Sequence, residues 1–155
     1  MKSQRFNDHR YSNNNIRGRI PKIIEKLKSL FLINISKKSF SQVLGNINFP
    51  NSLWYFSAHS NKFSRTLPMS LAMCELLDLR KNQLKGELPQ HIGNFQNLRV
   101  ISISYNNFHG GIPQSITNLT KLQLLDLSNN KFNGGMPFHL KRLQGFTINA
   151  ISSNI

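Results

Sequence analysis

Three consecutive stretches of this chain, starting at Cys74, Leu98 and Leu122, obey one template: L-x-x-L-x-L-x-x-N-x-L-x-G-x-[ILM]-P. Any large apolar side chain serves at the L positions, and Cys74 stands at the first of them. Self-similarity at a period of 20–50 residues is the signature of a stacked solenoid. In such a fold each repeat buries its apolar edge only against its neighbours. Length therefore counts repeats, and the 155 residues do not describe one conventional core.

The register can be followed upstream. Asn14, Ile16, Gly18, Ile20 and Pro21 satisfy the second half of the template, whereas its first half (Phe6, His9, Tyr11) is eroded. The next unit carries Ile24, Leu27, Leu30, Ile33 and Ile35, with Lys38 in place of Asn, Gln42 in place of Gly and Gly45 in place of Pro. A third unit has Leu53, Phe56, Ala58, Asn61 and Phe63, with Arg65 in place of Gly, and ends at Leu67 and Pro68. After the three regular units, Leu143, Phe146, Ile151 and Asn154 begin a partial one. The Pro-equivalent positions are 21, 45, 68, 89, 113 and 137, so the steps are 24, 23, 21, 24 and 24. The short step should remove a turn from the outer segment, where variation in length disturbs a stack least. The expected organisation is a degraded N-terminal repeat over 1–21, repeats over 22–143, and a partial repeat or the start of a non-repeat tail over 144–155.

Each spacing within the template has a physical reason. In L-x-L (Leu77/Leu79, Ile101/Ile103, Leu125/Leu127) alternation sends two side chains inward and the one between them outward, as a short strand requires. The Asn that follows (Asn14, Asn61, Asn82, Asn106, Asn130) falls where the chain turns inward and leaves backbone groups in need of partners. A carboxamide both donates and accepts, so a column of them can tie one coil to the next. The Gly allows a backbone shape that other residues resist, and the Pro starts the outer segment without an N–H. A series of amphipathic helices is the competing pattern, but L-x-L followed by Asn, Gly and Pro within about ten residues breaks the 3.6-residue period helices need. The expected fold is an α/β solenoid: a right-handed superhelix of about six 21–24-residue repeats, with a short parallel β-sheet on its concave face.

At this point the residues resemble a known family. The template, and strings such as LDLSNNKFNGGMP (125–137) and GGIPQSITNLTKLQLLDLS (110–128), are similar to plant-type leucine-rich repeats, as found in the ectodomains of receptor-like proteins and receptor-like kinases. The likeness is strongest over 71–143. It implies recognition of a protein or peptide ligand, with a co-receptor as a further partner, in development or defence. It also implies a plasma-membrane or extracellular location for the intact protein. The chain itself gives no location: 1–19 is polar where a signal peptide would have an apolar stretch of about 7–15 residues, and no run reaches the roughly 18 apolar residues of a membrane span. The family's cysteine-bearing caps are absent from the sequence, which holds a single cysteine. Exposed apolar edges at the uncapped ends would favour self-association. Two other readings stand beside the receptor module: a soluble inhibitor of a microbial cell-wall enzyme, and a non-functional gene fragment.

The outward strand positions form the natural binding surface. By register they include Asp8, Arg10 and Ser12; Leu32, Asn34 and Ser36; Tyr55, Ser57 and His59; Leu76, Asp78 and Arg80; Val100, Ser102 and Ser104; and Leu124, Asp126 and Ser128, with Lys81, Tyr105 and Asn129 flanking. The partner-binding candidates are Trp54, Tyr55, Ser57, His59, Asp78, Arg80, Ser102, Ser104, Tyr105, Asp126 and Ser128. Trp54, Tyr55, His59, Asp78, Arg80 and Tyr105 form the most distinctive cluster, because aromatics and Arg dominate interface energetics. Asn34 and Asn118 head N-glycosylation sequons.

The net charge is +14, from 20 Lys and Arg against 6 Asp and Glu. Such an excess attracts anions, but it is dispersed, with no block of five or six like charges to mark a nucleic-acid or membrane-binding tail. The five histidines lack metal-ligand spacing, and no phosphate-cradling glycine loop is present. No cofactor, metal, nucleic-acid partner or catalytic activity is expected. Cys74, at a leucine site, reads as a small buried hydrophobe.

Overall fold

The computed structural model describes residues 17–142 and 147–149. The eroded first half-repeat with Asn14, the positions Asp8, Arg10 and Ser12, and Leu143, Phe146, Ile151 and Asn154 lie outside the described residues.

The L-x-L segments become three-residue strands, because alternation buries one side chain of each against the coil interior. Six of them, Leu32–Asn34, Tyr55–Ser57, Leu76–Asp78, Val100–Ser102, Leu124–Asp126 and Thr147–Asn149, pair in parallel and in sequence order. Ile33, Phe56, Leu77, Ile101 and Leu125 are partners in register across this sheet. All five are buried, forming one apolar file from coil to coil. On the other side of the Asn turns a second parallel sheet joins Ser64–Arg65, Gln83–Gly86, Asn107–Gly110 and Lys131–Phe132. Short 3-10 segments form the outer side: Lys22–Lys26, Leu44–Asn46, Met69–Leu71, Gln90–Asn94, Gln114–Asn118 and Phe138–Arg142. Pro precedes all but the second of them, where its fixed φ and missing N–H suit a helix start.

The 21-residue step is absorbed where the sequence places it. The outer segment of that unit, Met69–Leu71, has three residues where its two successors have five. The strand pairing Tyr55↔Leu76, Phe56↔Leu77, Ser57↔Asp78 is unbroken.

The Asn column does the bridging expected of it. Asn106 Oδ1 accepts the Leu84 N–H of the preceding coil at 3.0 Å, and its Nδ2 donates to Leu79 O at 3.0 Å and Ile103 O at 2.9 Å. Asn61, Asn82 and Asn130 repeat the pattern through Phe40, Phe63 and Phe108 N–H. Each amide is buried, and each closes its own turn while holding the coil before it. Behind them Phe40 stacks on Phe63 and Phe108 on Phe132, with ring centroids 6.4 and 6.0 Å apart. Cys74 is fully buried, and burial pushes its thiol up to about 12.

Candidate functional site

The residue just before each Asn-column position adopts a left-handed backbone although none is glycine. Lys37, Ser60, Lys81, Tyr105 and Asn129 have φ between 53° and 57°. Left-handed backbone costs an L-residue roughly 1–2 kcal/mol, and the stack offsets it. The Lys37 N–H donates to His59 O at 2.8 Å, Ser60 to Arg80 O at 2.9 Å, Lys81 to Ser104 O at 2.9 Å and Tyr105 to Ser128 O at 3.0 Å. The row therefore runs along the C-terminal rim of the sheet, one residue per coil, with side chains free of the apolar interior.

A depression of about 440 Å³ opens on this rim. Lys37, Ser60, Lys81 and Tyr105 line it from the left-handed row, and His59, Arg80, Ser104 and Asp126 line it from the strand ends. Lys81 Nζ stands 5.5 Å from the centre of the half-exposed Tyr105 ring, within cation–π range. Arg80 is held by its own strand: its Nη2 lies 3.2 Å from Asp78 Oδ2, and its N–H donates to Asp78 Oδ1 at 3.3 Å. His59 Nδ1 and Ser60 Oγ are 3.1 Å apart. Burial pulls the His59 imidazole below its ordinary value; Asp78 opposes this, while Arg80, Lys37 and Lys81 add to it.

Asp126 is committed inward. Its Oδ1 accepts from Ser128 Oγ at 2.7 Å and Ser128 N–H at 3.2 Å, and its Oδ2 accepts from Ser102 Oγ at 3.1 Å. Burial raises this carboxyl, but hydrogen bonds from Ser104, Ser128 and Ser102 outweigh burial and hold it below its usual value. It is an ionised group whose acceptor sites are already filled.

Of the sequence-predicted residues, the structure brings His59, Arg80, Ser104, Tyr105 and Asp126 to one depression, with Asp78 anchoring Arg80. Trp54 and Tyr55 do not join them. They stand at the opposite end of the strand, roughly 13–16 Å along the chain from His59 at about 3.3 Å per residue. There Trp54 stacks on Phe31, centroids 6.4 Å apart, with Tyr55 edge-on at 6.2 Å. The expected single cluster is two clusters. A second correction concerns the serines. The outward register puts Ser57, Ser102, Ser104 and Ser128 on the open surface, yet all are buried. Close packing of neighbouring strands lets Ser57 Oγ reach Ser36 Oγ at 2.8 Å and Ser102 Oγ reach Asp126 Oδ2 at 3.1 Å, each one coil away, while Ser128 Oγ turns back on Asp126 of its own coil.

Lys37 and Ser60 are rim residues the sequence reading did not select. Extending the row of Lys81, Tyr105 and Asn129 upstream by register reaches both. The marker that fixes the register, the Asn, is replaced by Lys38 in the second unit. Asn34 and Asn118 are both exposed, Asn34 ending a strand and Asn118 ending an outer segment. Among the described residues no group of three or more His, Cys, Asp or Glu could hold a metal ion, and no helix is long and apolar enough to cross a membrane.

Comparison with known proteins agrees with this architecture. Residues 75–132 match the family model for the leucine rich repeat. The chain is 35% identical over 95 residues to Receptor-like protein EIX2 of Solanum lycopersicum, covering 59% of this chain and 9% of that protein. It is 35% identical over 121 residues to Receptor-like protein 35 of Arabidopsis thaliana, covering 61% and 13% respectively. The chain thus spans about a tenth of the length of the curated relatives it matches. Among solved structures it is similar to the Arabidopsis receptor kinase HAESA in complex with the peptide hormone IDA and the co-receptor SERK1. That match has a TM-score of 0.84 at 26% identity and covers 92% of this chain and 24% of that one. The HAESA ectodomain bound to an N-terminally extended IDA peptide matches at a TM-score of 0.75 and 34% identity, covering 85% and 23%. With its leucine-rich coils, asparagine column and G-x-[ILM]-P turns, the chain is a leucine-rich-repeat solenoid similar to plant receptor-like proteins.

Proposed function

We propose that this chain is a recognition segment of a plant receptor-like ectodomain, that it takes a protein or peptide ligand on its strand face, and that it performs no catalysis. The observation that carries this reading is the rim depression: cations and an aromatic ring project from a row that the stack holds rigid. Pre-organisation of that kind reduces the ordering entropy lost on binding. The likeness to ectodomains solved with bound peptide hormones supports it. The intact protein would act at the plasma membrane or outside the cell, in signalling for development or defence, with the repeats over 22–143 as its recognition array. There a glycan on Asn118 would leave the strand face open, whereas one on Asn34 would block its coil.

Selection of a random peptide library on the immobilised chain tests the reading. Recovered peptides should lose binding to a Tyr105→Ala, Arg80→Ala variant and keep it on a variant altered at Gln90 and Gln114 of the outer side. Binders that ignore the first variant and depend on the second would remove the strand face from the account.

A further inference from the structure

The charge balance of the rim depression says what kind of ligand group it would hold. Three cations face it, Lys37, Arg80 and Lys81. Two carboxylates are near, and both are occupied: Asp78 by Arg80, and Asp126 by the serine hydroxyls and the Ser128 N–H. Among the described residues no carboxylate pairs with Lys37 or Lys81. His59 adds no compensating negative charge. The arrangement leaves two lysines with nothing to neutralise them at the mouth of a concave, partly desolvated surface, where an ion pair gains more than it does in open solvent.

The spacing of those lysines is set by the sheet. Lys37 and Lys81 occupy the same row two coils apart, linked through the Lys37–His59 and Ser60–Arg80 backbone bonds. At about 4.8 Å per strand their backbones are roughly 10 Å apart. A peptide extended as a polyproline II helix has three residues per turn and rises about 3.1 Å per residue, so side chains three apart share one face and span roughly the same distance. Tyr105, next along the row, gives such a segment a ring to lie against.

We infer that the depression binds an extended acidic peptide segment through two side-chain carboxylates about three residues apart, one on Lys37 and one on Lys81 with Arg80. This rests on the strand-face reading above and narrows it to a ligand class.

Fluorescence anisotropy of labelled nine-residue peptides, blocked at both ends so that only side-chain carboxylates contribute, tests it on the full chain. The acidic peptide carries two Glu three apart in a Gly/Ser frame, and its twin carries Gln. The acidic peptide should bind at least tenfold more tightly than the twin at moderate salt. Lys37→Ala combined with Lys81→Ala should remove that advantage, while Lys121→Ala combined with Lys131→Ala, which keeps the same net charge as the first pair, should leave it. Equal binding of the two peptides, or equal loss in the two double variants, would overturn the inference; the second result would mean that net charge alone attracts the peptide. Tighter binding by an oligogalacturonate of equal charge would overturn it in favour of a polysaccharide. If library selection yields strand-face binders without acidic pairs, the broader reading survives and this one does not.

Discussion

The chain contains a regular half and an irregular half, and both build the same sheet. From Cys74 to Pro137 the template is kept position by position apart from Cys74 itself. Between Lys22 and Pro68 it loses an Asn to Lys38, a Gly to Gln42, another Gly to Arg65 and a Pro to Gly45. Yet the strands Leu32–Asn34 and Tyr55–Ser57 pair in the register of their successors. The irregular half improvises its inter-coil bonds. Gln42 Oε1 accepts the Ile20 N–H at 2.7 Å, so a longer amide from a different position supplies a bond between coils. Arg65 takes the left-handed backbone (φ 65°) that glycine takes at Gly86 and Gly110. The lesson is that the apolar file and the ladder set the register, whereas turn chemistry adds stability without setting it.

The largest effect that would test this contrast is at the Asn column. Asn106→Ala removes an acceptor for Leu84 N–H and a donor for two buried carbonyls. Stability in urea should fall by about 3 kcal/mol, the upper end for buried groups left without partners. A loss close to zero would show that the regular half does not depend on its bridges.

A smaller effect separates the outer segments. A Cβ on Gly93 would meet Ser115 O at 2.6 Å, whereas one on Gly45 would find Thr66 O at 3.6 Å. Gly93→Ala should therefore cost about 2 kcal/mol, as overpacking against fixed backbone does, and Gly45→Ala should stay within about 0.5 kcal/mol of wild type. Equal melting shifts for the two would mean that the outer packing is as loose in the regular half as in the irregular one.

The smallest is a gain. Arg65→Gly should raise stability by about 1 kcal/mol, by relieving a left-handed L-residue. Part of the relief is offset by the added freedom of glycine in the unfolded chain. A drop in melting temperature would mean that the arginine side chain contributes more than its backbone strain removes.

Much of this was legible in the sequence. The files of Leu77, Ile101 and Leu125, the Asn bridges and the shortened outer segment follow from spacing, because spacing fixes which side chains face inward. The second sheet was not foreseen, since its strands of two to four residues hold only a few side chains each. The candidate site was legible only in part. Register named the outward positions, but whether a serine there is open or covered depends on what the next coil offers it. Ser102 closes over Asp126 of the next coil for that reason, and Ser128 of that same coil joins it. The left-handed row carried only a weak residue-type signal, the lack of Cβ branching, because Lys, Ser, Tyr and Asn reach the same φ once the neighbouring carbonyl holds their N–H.

That row restricts the alphabet in which specificity can be written. A β-branched side chain at positive φ is a steric outlier, and proline cannot reach it. Lys37, Ser60, Lys81, Tyr105 and Asn129 are all unbranched at Cβ. Sequence change along this edge is therefore steered toward long cations, amides, small hydroxyls and flat rings, and away from compact aliphatics. Diversification of what such coils bind would proceed through charge and aromatic contact, with greasy shape-fitting confined to other parts of the surface.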